Sequence, residues 1–203
     1  MLPGIPPSIY LASVSPRRHE LLNQIDVPHE VLLVPTPPGE DEPQHPGEAA
    51  HVYVQRTSMD KAVRANHFIE QQRLAQKPVL TADTCVILEG EVLGKPVDDA
   101  DTARILGLLS GKTHEVHTAI VVAWQGQYFT DVSITRVSMK TLEPQEIKAY
   151  CASQEGNGKA GAYGIQGLAS VFIEHIAGSY SGVMGLPLFE TCRLLRHAYS
   201  ASA

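Results

Sequence analysis

The sequence predicts an α/β fold, built on a mixed, strongly twisted sheet flanked by helices with a central cleft. Three observations carry this. Short apolar runs alternate with helical stretches through the N-terminal half, which is the pattern of βα units. Two long runs rich in Val and Thr, residues 114–124 and 127–140, meet at Gln125-Gly126 as a hairpin. The chain then closes on an amphipathic helix at 187–199. Parallel units combined with long hairpins make a mixed sheet. Residues 1–203 read as one domain, with two lobes around the cleft.

Residues 8–13 (SIYLAS) read as a short buried strand, and 16–25 as a helix with Leu21, Leu22 and Ile25 on one face. A second strand, 30–34, runs into PTPPGEDEPQHPGE, residues 35–48. Its prolines, glycines and acids make a loop, the best candidate for a mobile flap. Residues 49–76 form a long helix and 78–88 an apolar strand, which Glu89-Gly90 turns back into 91–94. A helix at 99–109 stops at Ser110-Gly111. After the long hairpin, Pro144 opens a helix at 143–152. A glycine-rich loop (156–167), a strand (168–176) and the last helix, opened by Pro187, complete the chain.

Composition excludes several classes. There are 203 residues, 43% hydrophobic and 19% charged, enough for a real core. The formal charge is −6, so a general nucleic-acid-binding field is not expected and any anion must be held by a local cluster. The three cysteines, Cys85, Cys151 and Cys192, form no CxxC and no even-numbered framework. No apolar run is long enough to cross a bilayer, and no signal peptide is visible at the N-terminus, so no membrane partner is expected and cytoplasm is the default location.

Local chemistry concentrates in a few places. In Ser13-Val-Ser-Pro-Arg-Arg18, Ser15 suits an N-cap and Pro16 the first helical position. Arg17 and Arg18 then oppose the helix dipole, at a cost of roughly 0.3–1 kcal/mol each. An anion bound over the helix start reverses that sign; the alternative is two solvated arginines beside an ordinary cap. Asp83 interrupts an apolar strand in Thr81-Ala-Asp-Thr84. A carboxylate there can ligate a hard cation or act as general base for water, or it can cap a neighbouring turn. Lys61 shares a helical face with Val54 and Thr57, and is either drawn inward or snorkelling. Lys95, in Gly94-Lys-Pro96, follows a strand end and is a weak signal alone. The GxGxxG at 156–161 follows a helix, which is the wrong context for a dinucleotide fingerprint. His114 and His117 lie i,i+3 on a strand rather than i,i+4 on a helix, the wrong spacing for a zincin. Cys85 reads as a small buried hydrophobe.

Five stretches in this order resemble the Maf family, nucleoside-triphosphate pyrophosphatases once called septum-formation inhibitors. They are LASVSPRRHELL, DKA at 60–62, TADTCVILEGEVLGKP, LSGKTHEVHTAI and KAGAYGIQGLASVFIEHIAGSYSGVMGLPLFET. AGAYGIQG is similar to the branch acting on dTTP and UTP; the sibling branch acts on methylated GTP. The resemblance implies a Maf/ITPase-like fold and hydrolysis of a nucleoside triphosphate to monophosphate and pyrophosphate with Mg²⁺ or Mn²⁺. It implies Asp83 as proton acceptor and metal ligand. Arg18, Thr84 and Gln166 match positions tied to choice of base, and Ser13, Ser15, Arg17, Lys61 and Lys95 match the lining of the phosphate cleft. A homodimer is also implied. Val14 stands where the family has a small or polar residue, and Thr57-Ser58 where it has Leu-Ala. Of Glu40, Asp41 and Glu42, Glu42 is preferred as the second metal ligand. The competing readings are a non-catalytic nucleotide- or partner-binding regulator of cell division, and the same chemistry on another base, in methylated GTP or a modified pyrimidine nucleotide.

Overall fold

The computed structural model describes residues 3–35 and 43–201. Apolar strands and amphipathic helices alternate in it much as the residue pattern demands. Strands β1 (Ile9–Leu11), β2 (His29–Val31), β3 (Val79–Leu88), β4 (Glu91–Leu93), β5 (Thr113–Trp124), β6 (Gln127–Met139) and β7 (Ile173–Ala177) form one sheet in the order β2-β1-β3-β5-β6-β7, with β4 paired to β3. The β1 pairs with β2 and β3 are parallel, and β3–β4 and β6–β7 are antiparallel. The sheet is therefore mixed and the fold α/β. Helices α1 (Pro16–Gln24), α2 (Ala50–Gln71), α3 (Asp99–Leu109), α4 (Pro144–Ala152), α5 (Tyr180–Val183) and α6 (Leu188–Ser200) complete it.

Turn chemistry sets the hairpins. Glu89 (φ 53°) with Gly90 (φ 89°), and Gln125 (φ 49°) with Gly126 (φ 75°), both adopt the paired positive φ that a two-residue type I′ connection needs. The first of these fixes the register Val86↔Leu93, Ile87↔Val92 and Leu88↔Glu91.

Two stretches depart from expectation. The helix expected over 49–76 ends at Gln71; Arg73 takes a left-handed φ of 53°, and the Lys77-Pro78 step that follows disfavours helix. The strand expected over 168–176 begins only at Ile173, because Leu168–Phe172 is a 3₁₀ turn. Its buried residues, Ala169 and Phe172, are three apart, with exposed Leu168 and Val171 between their turns. That is a helical spacing rather than an alternation.

The chain divides into two compact units, each with its own apolar cluster. The first comprises the chain up to Asp83, Thr118–Val132 and the chain from Gly185 onward. Tyr10, Leu32, Ala62, Ala65, Ile69, Val79, Val121 and Ala123 pack together there. The second comprises Thr84–His117 and Ser133–Met184, with a core of α3, α4, β-strand and loop residues that includes Val86, Ile105, Leu106, Leu109, Tyr150, Tyr163 and Phe172. Cys85 is buried and forms no disulfide, as a small hydrophobe would be. No helix among the described residues is long and apolar enough to cross a membrane.

Candidate active site

In the first unit the site is built from β1, α1, α2 and β3. β1 ends at Leu11, beside β3, and the chain then turns through Ser13 into α1. Ser15 is the N-cap and Pro16 the first helical residue, but the Ser15 side chain does not cap the helix. Ser13 organises this entry. Its Oγ accepts from the Ser15 N–H at 3.2 Å and from Arg18 Nη1 at 3.1 Å. Arg18 Nε donates to the Gly185 carbonyl at 2.8 Å, so its guanidinium is braced at two points. Arg17 is half-buried one residue earlier, and Val14 points to solvent. The first turn of α1 contains no acid, so the positive end of the helix and both arginines stand together.

The second half of the cluster is where α2 meets β3. Three side chains join them. Thr81 Oγ1 donates to the Ser58 carbonyl at 2.8 Å, Lys61 Nζ donates to Asp83 Oδ1 at 2.7 Å, and Thr57 Oγ1 donates to Asp83 Oδ2 at 2.5 Å. Thr57 and Lys61 lie one turn apart on α2, which puts both donors on one face. Asp83 keeps 17% of its side-chain surface exposed and Lys61 25%, so the pair is sheltered but open to a ligand. Burial alone pushes the Asp83 carboxyl up; the charge and hydrogen bond of Lys61, the Thr57 hydroxyl and the charge of Arg18 together outweigh it and hold the group below its ordinary value. Asp83 is thus a carboxylate at neutral pH.

Six of the residues anticipated from sequence, Ser13, Ser15, Arg17, Arg18, Lys61 and Asp83, fall in this unit. Thr84, Lys95 and Gln166 belong to the other. There Lys95 is exposed just after β4, and Thr84 follows Asp83 on the opposite pleat of β3. Gln166 is exposed, between buried Ile165 and half-buried Gly167. Glu155 holds the backbone beside it: Oε2 accepts from the Leu168 N–H at 2.7 Å and Oε1 from the Tyr150 hydroxyl at 3.1 Å. A Cβ on Gly167 would lie 2.4 Å from that carboxylate, so a larger residue there would have to push the end of the Glu155 side chain aside. In the GxGxxG run, Gly161 has φ 67°, and a Cβ there would sit 2.8 Å from Val86. These glycines serve close packing.

Glu42, with Glu40 and Asp41, lies outside the described residues. Glu48, at the end of the loop read as a flap, is tied to α2 by a two-pronged pair with Arg56, Nε to Oε1 at 2.7 Å and Nη2 to Oε2 at 2.8 Å. Among the described residues no three His, Cys, Asp or Glu side chains gather to hold a metal. Asp83 by itself suits a hard cation of the kind that takes one or two protein carboxylates and completes its shell with phosphate oxygens and water.

Two contacts of this cluster do not follow from the sequence pattern. Thr57 reads there as a packing neighbour of Lys61, although its i,i+4 spacing to that lysine is an available signal. The Gly185 carbonyl lies 167 residues from Arg18 and gives no local signal at all.

Comparison with known proteins fits this geometry. Residues 8–198 match the family model described as Maf-like protein. A protein of Bordetella pertussis named dTTP/UTP pyrophosphatase is 62% identical over 95% of this chain and 93% of its own length. Proteins of the same name from Cupriavidus pinatubonensis (50% identical, 94% of this chain, 96% of its own) and Aromatoleum aromaticum (48%, 92% and 93%) are also similar. With the family model spanning nearly all of it, the chain belongs to the Maf family.

Proposed function

We propose that this protein hydrolyses dTTP and UTP to the nucleoside monophosphate and pyrophosphate. The observation that carries the reading is Asp83, a sheltered carboxylate kept ionised by Lys61 and Thr57 in the same unit as the arginine-rich start of α1. The relatives named dTTP/UTP pyrophosphatase, similar from end to end, support the substrate class.

In this mechanism the triphosphate lies over the α1 N-terminus, where Arg17 and the positive end of the helix meet its oxygens. Arg18, held on Ser13 and Gly185, keeps that wall in place and contributes to nucleotide choice. Water attacks the α-phosphorus in line with the bridging oxygen to the β-phosphorus. The new P–O bond forms from the water oxygen, the α–β anhydride bond breaks, and its electron pair leaves with pyrophosphate. Asp83 takes the water proton and passes it to solvent. Because Asp83 is a weaker base than an ordinary aspartate, the reaction needs a water more acidic than bulk water. A divalent cation, Mg²⁺ or Mn²⁺, held by Asp83 and the substrate's phosphates, with Glu42 as the further ligand, would supply that acidity and neutralise charge. Lys95 adds a further cation for the phosphates. Gln166 reads the base, its amide offering both donor and acceptor to the O4/N3–H edge of uracil or thymine, and Thr84 shares that role. We assign the protein to the cytoplasm, as a homodimer.

The test is direct. Purified protein with Mg²⁺ is given dTTP, UTP, dCTP, GTP and methylated GTP, and pyrophosphate is measured. Release from dTTP and UTP above the others is expected. Release from none of them would leave a nucleotide-binding role, and preference for methylated GTP would overturn the substrate assignment.

A further inference from the structure

We infer that Thr57 is a positioning residue that fixes the plane of the Asp83 carboxylate, while Lys61 is the exchangeable partner of the same group. This rests on the reading of Asp83 as the proton acceptor.

An aspartate's terminal torsion is soft, so one donor does not define where its lone pairs point. Here each oxygen has its own donor: Lys61 Nζ on Oδ1 at 2.7 Å and Thr57 Oγ1 on Oδ2 at 2.5 Å. The two donors differ in freedom. Lys61 is a rotatable ammonium on a four-carbon stem, a quarter exposed, and an arriving triphosphate attracts it. Thr57 is fully buried, β-branched and in the body of α2, so its hydroxyl has almost nowhere else to go. The competing acceptor among the described residues is the Val54 carbonyl, 3.2 Å from Oγ1. The nearer, charged Asp83 oxygen is the stronger acceptor. The Thr57 bond therefore persists through binding and chemistry, whichever anion Lys61 faces.

The test compares Thr57→Val, which keeps shape and loses the hydroxyl, with Thr57→Ser, which keeps the hydroxyl. Wild type and Asp83→Asn are run alongside, and kcat, KM and Tm are read for each. Thr57→Val should lose about 10- to 100-fold in kcat with KM nearly unchanged, the range typical of groups that orient a ligating or catalytic residue. Thr57→Ser should recover most of that loss. If the valine variant does not fold, Thr57→Ala takes its place against Thr57→Ser. A wild-type kcat in Thr57→Val overturns the inference. So does an equal loss in the Val and Ser variants that follows Tm, which is what a packing role produces. Inactive Asp83→Asn beside full-rate Thr57→Val sinks this inference alone, whereas full-rate Asp83→Asn sinks the underlying reading and this inference with it.

Discussion

Asp83 in the first unit and His114 in the second are both titratable groups withdrawn from water and bonded to a hydroxyl, yet they end in opposite charge states. His114 is 1% exposed, and its Nε2 lies 2.7 Å from the Tyr163 hydroxyl. Its Nδ1 has no hydrogen-bond partner among the described residues. With no carboxylate to offset it, burial pushes the imidazole down to about 4, and it is neutral at physiological pH. Asp83 is less deeply placed and is met by an ammonium, a hydroxyl and a guanidinium charge, so it stays ionised. The lesson is that burial decides charge only where nothing answers it. The ion pair stands where the proposed chemistry needs a charge, and the neutral pair where packing needs none.

The sharpest way to break this contrast is Asp83→Asn. The amide keeps the shape and removes the proton acceptor, so pyrophosphate release should fall by about 10²–10⁴-fold with an unchanged far-UV spectrum. Retained activity would make the ion pair merely structural.

The two groups should next separate by pH. His114 binds its proton at about 4 when folded and near 6.5 when unfolded. Above pH 6.5 it contributes no pH dependence. As pH falls from 6.5 to 4 the unfolded chain takes up the proton first, and stability drops by at most about 3 kcal/mol. Asp83 acts in the other window: its folded value lies below the ordinary 3.8, so its contribution is present above that and is lost as pH falls further. Denaturant melts of wild type and His114→Gln from pH 7 to 3 should show the upper window flattened only in the variant. A persistent slope there would place the titration elsewhere.

Lys61→Met sharpens the other side. It leaves Asp83 with the Thr57 hydroxyl and the charge of Arg18, raises the carboxyl's pKa, and should cost about 1–3 kcal/mol at pH 7, less in acid where the group is protonated. Chemical denaturation at both pH values decides it. The smallest effect is expected for Lys112→Ala. Its pair with Glu89 is 3.0 Å long, but the side chains are 43% and 73% exposed, so stability should change by no more than about 0.5 kcal/mol. A larger loss would mean that exposed pairs count as sheltered ones do.

Much of this was legible in the chain itself. Asp83 stood out because an acid inside Val79–Leu88 needs a reason, and the arginines of α1 because they oppose its dipole. Gln125-Gly126 and Glu89-Gly90 announced both hairpins through turn chemistry alone. What escaped was non-local or context-dependent. Nothing near His114 names Tyr163 as its partner, 49 residues on. Leu168–Phe172 carries strand-like residues, but Glu155 holds the Leu168 N–H and the segment coils. Thr57 looked like an apolar-face residue because its helix position was read and its hydroxyl was not.

The placement of Thr57 and Lys61 on a single helix has a metrological consequence. A fixture whose two stops are referenced to one datum does not accumulate the errors of two. Both stops for Asp83 are cut into α2, one turn apart, and Thr81 pins that same turn to β3 through the Ser58 carbonyl. Thermal jitter that shifts α2 as a body moves both stops together, so the angle they impose on the carboxylate is preserved even when its position is not.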